Sequence, residues 1–254
     1  LFSLEDRCKE KILSEDYWDF IIPLYRDEEL KEVNPENVCI QEMDFGYKSV
    51  SVDRRILLPL SFREYWYSTI PKCYALLDMQ PLDAAGIITL QNYPTLQLMG
   101  DGIMIGFLDT GIDYQNRVFR NLDGTTRIVG IWDQTIELNE SGVSRERAGQ
   151  LPEDIFYGTA YTKEDIDRAL ASDSPLDIVP STDENGHGTF LAGIAAGRQE
   201  LSGGEAFTGA APRAFIAAVK LKPAKQYLRD YYVLPDTAEA YQEKDIMMGM
   251  KYLL

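Results

Sequence analysis

The chain has 254 residues, 45% of them hydrophobic, enough for one large domain or two smaller ones. Its 25 Lys and Arg against 41 Asp and Glu leave a net charge of −16, which argues against nucleic acid and anionic membranes, since phosphate binding needs clustered cations. No apolar run approaches the roughly 20 residues of a membrane-spanning helix, and the first residues, Leu1-Phe-Ser-Leu-Glu-Asp-Arg7, lack the charged-then-apolar order of a signal peptide.

In chain order, Leu4, Cys8 and Ile12 recur at i, i+4, i+8 and predict an amphipathic helix over 3–13. The aromatic and β-branched run Tyr17–Tyr25 predicts a strand, and 27–33 a helix with an acidic first turn, stopped at Asn34-Pro35. Val38–Met43 and Lys48–Asp53 flank a turn at Asp44-Phe-Gly46 and predict a hairpin. Ser61–Tyr67 reads as a helix capped by Ser61, and Cys73–Leu77 as a strand. That order is β-α-β-β-α-β, the split ferredoxin-like arrangement. Three cysteines, Cys8, Cys39 and Cys73, are too few and odd in number for a disulfide framework and are expected as free thiols.

Residues 78–100 read as a connector with a short helix at Leu82–Gly86. Gly102-Ile-Met-Ile-Gly-Phe-Leu-Asp109 is then an apolar strand, apolar enough to be covered on both faces of a parallel sheet. It ends in Asp109 at a Gly turn, the carboxyl end of a strand, where open α/β sheets bind ligands. Ile128–Gln134 is a second core strand. Residues 135–180 are polar and turn-rich, with one helix at Lys163–Leu170. The only histidine, His187, follows an Asn-Gly turn and opens a small-residue helix through Ala196. Phe215–Leu221 is a further buried strand, 223–242 an insertion, and a helix begins at Asp245.

Asp109-Thr-Gly-Ile-Asp113 followed by Gly186-His-Gly-Thr189 resembles the acid and base motifs of the subtilisin-like serine proteases, in the same order. Asp123-Gly-Thr-Thr-Arg-Ile128, Ile131-Trp-Asp-Gln-Thr-Ile136 and Pro180–Thr189 narrow the likeness to the clostridial Csp-type germination proteases. The resemblance implies an α/β fold, a parallel sheet with helices on both faces, incomplete here. It also implies a preceding α+β ferredoxin-like propeptide over 1–80, with 81–254 as the N-terminal part of the catalytic domain. Asp109 would be the triad acid and His187 the general base. The family's Gly-Thr-Ser nucleophile motif is absent, and Ser141, Ser144, Ser172, Ser174, Ser181 and Ser202 all sit in polar loops. The chain is therefore expected to be the front part of a longer protease, silent by itself.

The implied partners are a protein or peptide substrate, the chain's own propeptide as inhibitor, and the missing part of the catalytic domain. Self-cleavage is expected near Leu76–Gln80. A spore-associated or secreted setting goes with the resemblance. No cofactor is required, and an acid-rich surface is compatible with calcium although no motif specifies a site. The alternative function is a pseudoprotease or sensing scaffold that binds a partner or small germinant. An aspartic protease would need a second Asp-Thr-Gly, which the chain lacks. A zinc hydrolase would need more than one histidine's worth of ligands.

Overall fold

The computed structural model describes residues 4–25, 34–61, 63–74, 98–137, 148–200 and 206–254. The N-terminal part holds α1 (Leu4–Leu13), β1 (Tyr17–Pro23), β2 (Val38–Glu42), β3 (Tyr47–Asp53) and β4 (Cys73–Tyr74). Next come β5 (Met104–Asp109), β6 (Ile128–Asp133), β7 (Thr159–Thr162), α2 (Lys163–Leu170) and α3 (Pro175–Ile178). The rest is α4 (His187–Ala196), β8 (Arg198–Glu200), β9 (Ala206–Thr208), β10 (Phe215–Lys220), α5 (Gln226–Tyr231), β11 (Tyr241–Gln242) and α6 (Glu243–Leu253).

The central sheet runs β5-β10-β6-β7, with β10 parallel to both β5 and β6 and β7 antiparallel at the far side. Alternation along the strands splits the core in two. Ile216, Ala218, Ile128 and Ile131 pack with Ala192 and Ala196 of α4 on one face, while Val219 and Trp132 pack with Met248 of α6 on the other. Helices therefore cover both faces of a parallel sheet, the expected α/β class. Ile12, Ile21, Cys39 and Met43 join the second core, so the N-terminal part lies against the α6 side. The Thr162 hydroxyl and the Asp165 carboxylate form the capping box that starts α2.

Four expectations need correction. β5 packs on both faces, Ile105 and Phe107 on the α4 side and Leu108 on the α6 side, but it is not the fully buried strand expected: it is an edge strand among the described residues, and only Asp109 of it is buried. The helix expected over 61–67 does not form. The described part is turns and a short 3-10 segment, Tyr67–Thr69; Phe62, Tyr65 and Trp66 do recur at i, i+3, i+4, but so short a stretch does not offset the cost of nucleating a helix. The ferredoxin-like closure is also absent from the described residues. The three-stranded sheet is β1-β3-β2, whereas β4 pairs with β11, Cys73 opposite Gln242. Finally, Cys8 and Cys39 are not free thiols. α1 packs on β2 and brings their Cα atoms to 5.2 Å, within disulfide range, and they are bonded. Cys73 is the free cysteine. The expected helices over 27–33 and 82–86 and the cleavage region 76–80 lie outside the described residues.

Several elements escaped the sequence reading. β7 and α3 lie in the stretch read as polar and turn-rich, and the supposed insertion 223–242 carries α5 and β11. That last segment meets the N-terminal sheet around Asp19, which is fully buried. Its carboxylate lies 3.0 Å from Lys225 Nζ and 3.1 Å from Lys244 Nζ, and accepts from Ser51 at 2.5 Å and from Gln242 at 3.1 Å. Beside it, Lys222 pairs with buried Asp245 at 2.6 Å, and Tyr157 donates to Asp245 at 2.8 Å.

Candidate active site

The carboxyl ends of β5, β10 and β6 carry Asp109, Lys220 and Asp133, in register with one another. Asp109 is buried because its strand ends there under the first turn of α4. Gly186, the residue before the helix, sits at φ 83°, a conformation that costs glycine little. The turn it makes delivers His187 as the first residue of α4, with His187 Nδ1 2.8 Å from Asp109 Oδ1. Side-chain exposure is 19% for His187 and 9% for Asp109, so the pair is shielded yet reachable. A carboxylate only accepts, so Nδ1 carries the hydrogen and Nε2 is the basic nitrogen of that tautomer.

Close approach of the two loops requires glycine. A Cβ on Gly188 would lie 2.1 Å from the Gly111 carbonyl oxygen and 3.1 Å from Asp109 Cβ. Gly111 has φ 128°, and a Cβ there would meet the Thr182 carbonyl oxygen at 2.8 Å. Both motifs therefore carry glycine where backbones touch.

A set of residues not singled out from the sequence binds the two motifs together. The Asp109 carboxylate also accepts from the Thr110 amide at 2.8 Å. Thr110 Oγ1 receives the Gly188 amide at 3.0 Å and lies 2.7 Å from Asp183 Oδ1. Asp183 further accepts from the Gly186 and Thr189 amides and the Thr189 hydroxyl. Burial alone would raise the Asp183 carboxyl; the donors from Thr189, Thr110 and Gly186 outweigh it and hold it below the ordinary value. The signal was present in the sequence, an aspartate four residues before a histidine that starts a helix, where free amides seek an acceptor. Outside this clamp, Lys220 Nζ bonds the Thr182 carbonyl at 2.8 Å and Glu184 at 2.9 Å. The Thr182 hydroxyl and Lys220 together lower exposed Glu184 to about 2. Asn185 donates to Glu239.

Of the serines considered, Ser181 is buried and donates to Asp133 at 2.6 Å, and Ser172 accepts from the Ser174 amide. Ser141, Ser144 and Ser202 lie outside the described residues. Among the described residues no group of three or more His, Cys, Asp or Glu is arranged to hold a metal ion, and no helix is long and apolar enough to cross a membrane.

The chain is 31% identical over 134 residues to subtilisin-like protease SBT2.2 of Arabidopsis thaliana, covering 48% of this chain and 15% of that protein. To subtilisin-like protease SBT3.5 of the same plant it is 31% identical over 159 residues, 60% of this chain and 19% of the relative. Among solved structures, the Clostridium perfringens CspB protease is similar at 32% identity and a TM-score of 0.47, over 66% of this chain and 28% of that one. The chain thus spans less than a third of the proteins it matches. Residues 100–246, which contain both Asp109 and His187 and the whole central sheet, match the subtilase family. This chain belongs to the subtilase family, Peptidase_S8.

Proposed function

We propose that the protein is a serine endopeptidase of the subtilisin type in which Asp109 is the triad acid and His187 the general base. The observation that carries this reading is the 2.8 Å bond from His187 Nδ1 to Asp109 at the carboxyl ends of the parallel strands. The nucleophilic serine is contributed by a segment outside these 254 residues. It attacks the peptide carbonyl while His187 Nε2 takes its proton and then returns it to the leaving amine. Asp109 keeps the imidazole in the required tautomer and stabilises its cation. The substrate is a protein or peptide. Residues 1–80 act as a propeptide-like inhibitor, cleaved near Leu76–Gln80, and the spore-germination setting implied by the resemblance to the Csp-type proteases belongs to the same proposal.

The test uses the full gene product, labelled with a fluorophosphonate and assayed on a peptide library. His187→Ala should cost about 10⁶ in kcat, as the base does in subtilisin, and Asp109→Asn about 10⁴. A folded gene product that neither labels nor cleaves would instead support the non-catalytic scaffold. A labelled serine within residues 1–254 would refute the division of the triad.

A further inference from the structure

The Thr110 hydroxyl has one proton and two carboxylates within reach. Its oxygen lies 2.7 Å from Asp183 Oδ1 and 3.2 Å from Asp109 Oδ1, and it already accepts the Gly188 amide at 3.0 Å. The shorter, charge-assisted contact takes the proton. Asp183 is held ready for it: Gly186 N–H at 3.0 Å fixes the same oxygen, and Thr189 N–H at 2.8 Å and Thr189 Oγ1 at 2.6 Å fix the other. Thr189 Oγ1 in turn accepts from the Asp113 amide at 2.8 Å. Asp183 therefore grips the turn after β5 at two points, directly at Thr110 and through Thr189 at Asp113.

We propose that Asp183 is a positioning residue for the subtilisin-type reaction: by drawing the Thr110 hydroxyl proton to itself, it reserves Asp109 as the acceptor for His187. The inference rests on the catalytic reading of Asp109 and His187. Without Asp183 the Thr110 hydroxyl turns to Asp109 Oδ1, competes with the imidazole N–H for the same oxygen, and drains the charge that stabilises the imidazolium. The two motifs also lose their common anchor.

Other ionisable groups surround the pair. Glu184 lies on the loop before α4, Asp113 on the turn after β5, Lys220 at the end of β10, and Glu239 reaches in through Asn185. Tyr241 of β11 is close enough to feel both Asp109 and Asp183. Removing the Asp183 charge by any substitution moves the acidic limb of the kcat/KM profile, which reports the free base. The discriminating comparison is therefore between two neutral variants. Asp183→Asn keeps an oxygen for the Thr110 proton, whereas Asp183→Ala frees that proton.

In the full gene product, Asp183→Ala should lower kcat about 10²-fold with KM within about twofold, the scale of a small misplacement of a catalytic group. Its acidic limb should lie at lower pH than that of Asp183→Asn. Adding Thr110→Val to Asp183→Ala should bring the limb back to the Asp183→Asn position, a rescue that a packing role would not give. Coincident limbs and rates for the two neutral variants, or kcat within about twofold of wild type for Asp183→Ala, would overturn the proposal. Should Asp183→Ala fail to fold, Thr110→Ser and Thr110→Val carry the test. The proton that rests on Asp183 is not on Asp109, so the acidic limb should stay within about 0.3 pH of wild type in both variants; a limb moved to higher pH in the valine variant would show that the hydroxyl proton rests on Asp109 and would overturn the proposal. His187→Ala is measured alongside. Its loss with an unaffected Asp183 series sinks the positioning role alone, whereas an active His187→Ala protein sinks the catalytic reading itself.

Discussion

Replacing Asp19 by asparagine removes one charge from a cluster that water does not reach, and the structure sets the size of the effect. Asp19 and Lys244 are both fully buried and Lys225 is 3% exposed, so neither ammonium can recover its hydration when the carboxylate goes. The cluster holds three cations, Lys222, Lys225 and Lys244, against two anions, Asp19 and Asp245. Asp19→Asn leaves a single carboxylate, already committed to Lys222, facing all three. Breaking a buried pair from one side costs about 3–5 kcal/mol. For a chain of this size that corresponds to a drop in Tm of roughly 6–20 °C. Adding Lys244→Met to Asp19→Asn should restore more than half of the loss, because the second change removes an uncompensated charge. Thermal unfolding of the four proteins of the cycle, followed by circular dichroism, provides the measurement. A Tm for Asp19→Asn within about 2 °C of wild type, or additive losses in the double variant, would refute the reasoning. The cluster also has a pH signature. Burial alone would raise the Asp19 carboxyl, but Lys225, Lys244, Lys222 and the Ser51 hydroxyl hold it far below the usual range. A depressed folded value means the contribution is present above the unfolded pKa of about 3.9 and is lost as pH falls below it. The acid limb of the stability profile should therefore be shallower in Asp19→Asn than in wild type.

Cys8–Cys39 closes a loop with a sequence separation of 31, so reduction or Cys39→Ala should lower stability by about 3–4 kcal/mol in the chain-entropy picture; an unchanged denaturation midpoint with and without reductant would count against the pairing. Gly188→Ala puts a methyl group 2.1 Å from a backbone oxygen that cannot swing away, and should cost about 1–3 kcal/mol together with a larger fall in kcat than in Tm would suggest. A fully active, fully stable variant would show that the motifs do not meet as described. Trp132 is completely buried, stacked edge-on against Tyr157 at 5.2 Å, with its indole N–H on the Tyr157 carbonyl. Trp132→Ala should cost about 3–5 kcal/mol, and guanidinium unfolding would register it.

The sequence by itself determined the elements whose signal is local. His187–Ala196 opens after an Asn-Gly turn and is filled with small residues, Lys163–Leu170 has a Thr-x-x-Asp capping box at its start, and the apolar runs at 128–133 and 215–220 could only be core strands. Asp109 and His187 were legible for the same reason, since each sits at the end of an element that the pattern defines. Tertiary structure alone decided what depends on partners far along the chain. Cys73–Tyr74 has strand character, but its mate is Tyr241–Gln242 rather than the N-terminal sheet, and no local signal states which edge a short strand will find. Cys8 and Cys39 pair because α1 lies on β2, a packing fact. Asp19 looked like one polar residue in a hydrophobic strand. Only the fold brings Lys225 and Lys244 to it across 206 and 225 positions of sequence, where burial turns an ordinary aspartate into a charge the structure cannot spare. Asp183 stood in plain view inside the histidine motif. Its role became visible only when the turn after β5 folded onto it, because a hydroxyl's single proton is assigned by distances, and distances belong to the folded chain.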